Sequence, residues 1–244
     1  MDIEIFTFCW NEIDILPWVV DYWKRFATHV TVFDNGSTDG SVEYLEKFRF
    51  VTVKHFNTDG LNDIVHQKIK NECWKGSKAD FVVVCDMDEI LCAKDIRRQL
   101  EEMLFSGATI CKPTCYVLFS DEYPKYDGKL LHEVRPMGVI DNTSKTILFD
   151  PKKITAINYT PGAHRCRPEG EVRWYDGKIY MFHINHNLSF DYKIRKYREL
   201  DARRSEDNIR KKHGIHYAFS KDVLREAWEN DRSKAVDFCQ ILNR

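Results

Sequence analysis

Several features are scarce in this 244-residue chain, and each scarcity removes a class of function. No apolar run approaches the roughly 18 to 20 residues of a membrane span. Residues 1–20 lack a basic start followed by an apolar stretch and a small-residue cleavage site, so the expected location is cytoplasmic, with no transmembrane span. Charge of either sign is nearly cancelled, 37 Lys and Arg against 38 Asp and Glu, so no global field draws the chain to nucleic acid. The eight cysteines (Cys9, Cys73, Cys85, Cys92, Cys111, Cys115, Cys166 and Cys239) include no Cys-x-x-Cys pair, and several sit in apolar runs. They read as reduced, buried thiols, with neither a zinc site nor a disulfide framework indicated. Glycine-rich phosphate cradles are missing too. No Gly-x-Gly-x-x-Gly follows the first predicted strand, and no Gly-Lys-Ser/Thr loop occurs, so a bound diphosphate needs another means of neutralisation.

What is present centres on residues 79–91, where the apolar run Phe81-Val82-Val83-Val84-Cys85 ends in Asp86, Asp88 and Glu89. An unbroken apolar run of strand length predicts a strand covered on both faces, as in a parallel sheet. Its exit then lies at the sheet's carboxyl edge, where open α/β sheets bind ligands. Carboxylates crowded there repel one another unless a divalent cation or hydrogen-bond donors intervene. The bland alternative is an acidic cap on a following helix.

The chain in order supports the first reading. Strands are predicted at 3–9, 29–33, 50–56 and 81–85, with helices at about 15–26, 41–48 and 61–75 between them. Each crossover exceeds the dozen residues a parallel connection needs, so the fold class is α/β, a wound, mostly parallel sheet with helices on both faces. A helix after Leu91 with Ile96, Leu100, Met103 and Leu104 inward reaches Gly107, where the texture changes. Strands at 108–119, 145–149, 154–159 and 178–184 predict a mixed-strand C-terminal extension with long loops at 120–145 and 160–177. C-terminal helices follow from Phe190, and 191–212 carries nine Lys and Arg against five Asp and Glu. One continuous domain is expected, with a ligand-binding half at 1–106 and an extension at 107–244.

At the carboxyl ends of the four predicted strands stand Asn11 and Glu12, Asp34-Asn35-Gly36, residues 57–59, and Asp86 with Asp88. In a parallel sheet all four sets open onto one crevice. Mg²⁺ or Mn²⁺ held by Asp86 and Asp88 would neutralise a nucleotide diphosphate there.

The set Cys9-Trp10-Asn11-Glu12, Asp34-Asn35-Gly36-Ser37-Thr38-Asp39-Gly40-Ser41 and Asp86-Met87-Asp88-Glu89 resembles a GT-A fold glycosyltransferase of the family 2 kind, close to the family 92 type. Lys145-Thr146-Ile147-Leu148-Phe149-Asp150-Pro151, Gly162-Ala163-His164 and Met181-Phe182-His183 are similar to the downstream pattern of the same group. The resemblance implies metal-dependent, inverting transfer of a sugar from a nucleotide-diphosphate sugar to a glycan or glycoconjugate acceptor. It implies that Glu12 and Asp34 contact the nucleoside, that Asp86 approaches ribose or metal, and that Asp88 is the principal metal ligand. A histidine from the C-terminal half is implied as a further ligand. His183 at a strand end is favoured over His164 in a loop, and His186 is a third candidate.

One family feature is absent. No Glu-Asp pair opens a helix soon after the metal motif, the only such pair being Glu206-Asp207 far downstream. Asp121 and Glu122 are the candidate general base, with Glu169 behind them. Tyr116, Tyr123, Tyr126, Trp174 and Tyr175 are candidate faces for an acceptor sugar. Lys68 and Asn71, about one helical turn apart, are candidate donor contacts. The basic stretch is a solvated face, a diphosphate contact through Lys193, Arg195 or Arg198, or a peripheral contact with anionic lipid. Competing readings are a sugar-1-phosphate nucleotidyltransferase, which would carry a glycine-rich basic loop after the first strand, and a degenerate GT-A domain acting as a carbohydrate-binding module.

Overall fold

The computed structural model describes residues 1–134, 137–141, 144–184 and 186–242. The first half alternates β1 (Ile3–Cys9), α1 (Leu16–Trp23), β2 (His29–Asp34), α2 (Ser41–Leu45), β3 (Val51–His55), α3 (Asp63–Glu72) and β4 (Phe81–Val84). It continues through β5 (Glu89–Cys92), α4 (Ile96–Ser106), β6 (Ile110–Cys111), β7 (Thr114–Phe119), α5 (Leu131–Val134), β8 (Met137–Asp141) and β9 (Leu148–Phe149). Short strands β10 (Ile154–Ala156), β11 (Glu169–Gly170) and β12 (Trp174–Tyr175) precede β13 (Tyr180–His183). The chain ends in α6 (Phe190–Ala202), α7 (Glu206–Arg210), a 3₁₀ turn at Ile215–Ala218, α8 (Lys221–Lys234), β14 (Val236–Asp237) and α9 (Phe238–Leu242).

The main sheet has the order β12-β6-β9-β4-β1-β2-β3. β4, β1, β2 and β3 run parallel, with Phe6 of β1 opposite Val84 on one side and Thr31 on the other. β4 explains why its sequence is apolar without alternation. Phe81 and Val83 pack with Ile3, Ile5 and α1 on one face, while Val82 and Val84 pack with Trp74, Phe149 and Tyr159 on the other. Burying four such side chains contributes on the order of 6–12 kcal/mol of transfer free energy before entropy is counted.

Three departures from the sequence expectations have local causes. Residues 86–89 do not lead directly into a helix: a tight turn, with Glu89 N–H donating to the Asp86 carbonyl at 3.1 Å, starts β5 in a second sheet. That sheet has the order β14-β8-β7-β13-β5, with β5 antiparallel to β13. The expected single strand at 108–119 is broken at Pro113, which has no N–H for a ladder, so β6 joins the main sheet and β7 the second. The expected long loop at 120–145 holds α5 and β8, while 135–136 and 142–143 lie outside the described residues. All eight cysteines are free, five of them buried. Among the described residues no helix is long and apolar enough to cross a membrane.

Candidate functional site

A cavity of about 510 Å³ opens where β1 and β4 end. Its walls come from both halves of the chain: Glu12 after β1, His66 and Lys70 on α3, Asp86 and Asp88 after β4, His183 on β13, and Tyr197, Arg203 and Tyr217 from the C-terminal segment.

The turn after β4 splits its carboxylates between two roles. Asp86 accepts from Lys70 Nζ at 2.6 Å and from Lys145 Nζ at 2.7 Å, one lysine on each oxygen. Lys145 also lies 2.5 Å from Glu89 Oε1, and Glu89 Oε2 accepts from the Asp86 N–H at 3.0 Å. Burial works against the charge on Asp86, but Lys145 and Lys70 override it and hold its carboxyl well below the usual range. Asp88 faces the other way. Its carbonyl accepts from the Ile184 N–H at 2.9 Å, and its Oδ2 lies 3.4 Å from His183 Nε2. Burial opposes ionisation of both partners, yet their mutual attraction wins: Asp88 is pushed down and His183 pushed up.

The tips of β1 and β2 are riveted to each other. Asn11, at φ +53°, accepts from the Thr38 N–H at 2.8 Å, and its own N–H donates to Ser37 Oγ at 2.9 Å. Asp34 is 1% exposed and accepts from the Gly36 and Ser37 N–H groups and from His55 Nδ1. Gly36 takes φ +77°, the left-handed turn that lets the loop close on that carboxylate. Asn11, Asp34 and Gly36 thus build the rim rather than the wall, since none lines the cavity. Glu12 does line it. Burial lifts its carboxyl to about 8, against the pull of Lys196 Nζ at 3.3 Å and with a push from Asp88. Lys196, 1% exposed, also donates to the Asn11 carbonyl at 2.6 Å and so pins α6 to the tip of β1.

On α3 the wall-forming residues are Asp63, His66, Gln67 and Lys70, at i, i+3, i+4 and i+7. Lys68 is exposed, and Asn71 instead clamps Tyr159, accepting from its N–H at 2.8 Å and donating to its carbonyl at 3.3 Å. The face of α3 that carries Lys68 and Asn71 is therefore not the one that meets the cavity. The signal that marks the true face is the four-residue polar stripe itself, set among Ile64, Val65 and Ile69.

The cavity is roofed by the segment after α6. Leu61 N–H donates to the Arg203 carbonyl at 2.6 Å, Ser205 N–H to the Leu61 carbonyl at 3.1 Å, and Asp63 N–H to Asn208 Oδ1 at 3.1 Å. The Arg203 guanidinium lies 4.2 Å over the Trp10 ring. Lys70, Lys196 and Arg203 are absent from the sequence-derived candidates, and Lys145 enters there only as part of a motif, with no role. Lysines buried to 4–6% at positions 70 and 145 carry no sequence signal beyond an unexpected charge in an apolar neighbourhood.

His164 and His186 line the cavity with His183, and His186 holds φ +58°. The base candidates lie elsewhere. Asp121 is exposed and pairs with Arg232 at 3.0 Å, Glu122 is exposed, and Glu169 accepts from Asn158 Nδ2 at 2.9 Å; none lines the cavity. Lys193, expected near a diphosphate, donates to Asn187 Oδ1 at 2.7 Å, and Arg195 pairs with Asp14 at 2.6 Å.

A wound sheet whose parallel strand tips and acidic turn share one cavity defines a GT-A-like fold. The glycosyl transferase family 2 model matches residues 5–168, about two thirds of the chain, and the chain belongs to that family. It is similar in structure to S. aureus TarS 1-349, at 11% identity over 82% of this chain and 66% of that one, with a TM-score of 0.45. The same TarS fragment in complex with UDP-GlcNAc gives 10% identity over 84% and 68%, with a TM-score of 0.43. This chain spans about two thirds of that fragment and 40% of the longer TarS chain. No curated protein sequence matches it.

Proposed function

We propose that this chain transfers a sugar from a nucleoside-diphosphate sugar to an acceptor hydroxyl, with inversion and with the aid of a divalent cation, Mn²⁺ or Mg²⁺. Family membership supports the donor class and the reaction. The cation rests on one observation: a carboxylate and an imidazole from two different strand ends meet at 3.4 Å in the cavity wall. That oxygen and nitrogen pair suits a Mn²⁺-like ion. Asp86 does not fit as a ligand, because both of its oxygens already hold ammonium groups. We therefore give the cation to Asp88 and His183, with His164 and His186 beside them in the same cavity. When bound, the cation stabilises the charge of the departing diphosphate.

The chain's own residues supply the rest. Lys70 and Lys145 reach the cavity wall with their ammonium groups already paired to Asp86 and Glu89, so this balanced cluster orders the acidic turn and leaves the diphosphate charge to the cation. Glu12 and the loop closed by Asp34 form the nucleoside edge, and Arg203 on Trp10 closes it from above. The segment at 200–217 excludes water from the site. In this reading residues 1–106 are the donor half and residues 107–244 face a glycan or glycoconjugate acceptor. Asp121 and Glu122 take no part in it, being held outside the cavity. Within the family we place the chain near the family 92 type, on the motifs around Lys145, His164 and His183.

The test is a thermal-shift panel of UDP-, GDP- and dTDP-sugars with and without Mn²⁺. One diphosphate is expected to stabilise the protein only with metal, by about 5 °C at a hundredfold excess over its dissociation constant. Asp88→Ala is expected to abolish that response. A mutant that responds like the wild type removes Asp88 from the metal.

A further inference from the structure

The second sheet brings together a set of donors of which the sugar-transfer reading uses only His183. Cys115 of β7 is opposite Asp141 of β8 on one side and Met181 of β13 on the other. Side chains alternate along a strand, so His183, two residues beyond Met181, stands on the same sheet face as Cys115 and Asp141. The Cys115 Sγ, an Asp141 carboxylate oxygen and a His183 ring nitrogen lie within 4.8 Å of one another. Cys115 is fully buried, whereas Asp141 and His183 both line the cavity.

We propose that Cys115, Asp141 and His183 form a second cation site, for Zn²⁺ or an ion of similar softness, with its fourth position open to the cavity. One sulfur, one oxygen and one nitrogen donor make a borderline-soft set, which a hard ion such as Mg²⁺ does not favour. Ligands on a tetrahedral zinc with the usual bond lengths are roughly 3.5 Å apart, so the three side chains need to close by about an ångström. Three short or ring side chains on adjacent paired strands are a rigid platform for that closure. On binding, the Sγ–H bond is replaced by a metal–sulfur bond and the Nδ1–H bond of the His183 imidazolium by a metal–nitrogen bond, and both protons leave to solvent through the cavity.

His183 couples this site to the first. Its Nε2 faces Asp88, which leaves Nδ1 for the triad, and an Nε2–H donated to Asp88 then makes a carboxylate–histidine–metal arrangement. The same Nε2 no longer ligates a cation beside Asp88. Zinc at the triad therefore antagonises the metal-linked binding of donor, a consequence that rests on the function proposed above. The triad itself does not depend on it.

The experiment is titration of the reduced full-length protein with Co²⁺, an optical stand-in for zinc. One equivalent is expected to produce a near-ultraviolet thiolate-to-cobalt band that stoichiometric Zn²⁺ bleaches. Cys115→Ser loses the band, and Asp141→Asn keeps it with roughly tenfold weaker affinity or more. A band of equal strength in Cys115→Ser assigns it to another cysteine and overturns the proposal, as does a wild type with no band. X-ray absorption of the zinc-loaded wild type needs no variant to fold: one sulfur at about 2.3 Å is expected, and a shell of nitrogen and oxygen alone refutes the site. In the coupled arm, Zn²⁺ suppresses the Mn²⁺-dependent thermal shift and Cys115→Ser restores it. If the Mn²⁺ response is missing altogether, the proposed function fails while the cobalt band still judges the triad.

Discussion

Lys145→Met tests whether the buried charge network holds the acidic turn together. Lys145 Nζ sits 2.5 Å from Glu89 Oε1 and 2.7 Å from Asp86 Oδ2, with side-chain exposures of 7% for the lysine and 0% for Glu89. Lys70 remains to balance Asp86, but Glu89 loses its cation in a place water does not reach. Stranding one member of such a buried pair costs about 3–5 kcal/mol. For a chain of this length each kcal/mol moves the melting temperature by roughly 2 °C, so a fall of about 6–10 °C is expected. Adding Glu89→Gln removes the stranded charge and should restore most of the loss, because deleting both partners of a buried pair is far cheaper than deleting one. Calorimetry and urea denaturation of the two single mutants and the double mutant close the cycle. A single mutant within about 1 kcal/mol of wild type, or a double mutant no better than Lys145→Met, refutes the network as a structural element.

Two further outcomes follow from the geometry. Burial raises Glu12 from 4.5 to about 8, so between those values the folded chain keeps a proton that the unfolded chain has released, and stability on this account falls as pH rises through the window. Glu12→Gln should flatten that slope in urea melts taken between about pH 5 and about pH 8, and an unaltered slope assigns the dependence to another group. Gly60 has φ +65°, and a Cβ there would meet the Arg203 carbonyl oxygen at 2.1 Å, whereas a Cβ on Gly36 would meet nothing within 4 Å. Gly60→Ala should therefore loosen residues 200–217, read as faster amide exchange there and weaker nucleotide binding. Gly36→Ala should cost only its backbone strain of roughly 1–2 kcal/mol, and equal exchange in the two variants defeats the idea of a docked roof.

The parallel half of the fold was legible because its signals are local. A doubly covered strand reads as Phe-Val-Val-Val, and a loop that must turn left-handed reads as Asp-Asn-Gly. The second sheet was less so, since β5 and β13 pair across more than eighty residues and nothing in either four-residue segment names its partner. In the site, topology alone places Asp86 and Asp88 at a strand tip, whereas His183 follows from the family resemblance, its strand-end position only favouring it over His164. Side chains that reach the cavity from helices could not be placed by topology. Lys70 differs from Lys68 only by helical phase, and Lys145 and Lys196 are exposed-looking residue types whose burial depends on carboxylates distant in sequence. Asp121 and Glu122 were assigned by residue type within a loop whose position the sequence does not specify.

The contacts between Leu61 and Arg203 and between Asp63 and Asn208 give the roof a temporal meaning. During synthesis the four parallel strands emerge with residues 1–84, but one face of β4 waits for Phe149 and Tyr159, and the pocket stays uncovered until the chain past Asn208 arrives. A chain stopped before Asn208 lacks both that cover and Phe238 of the main core, so the pocket and the core are completed by the same late-arriving segment.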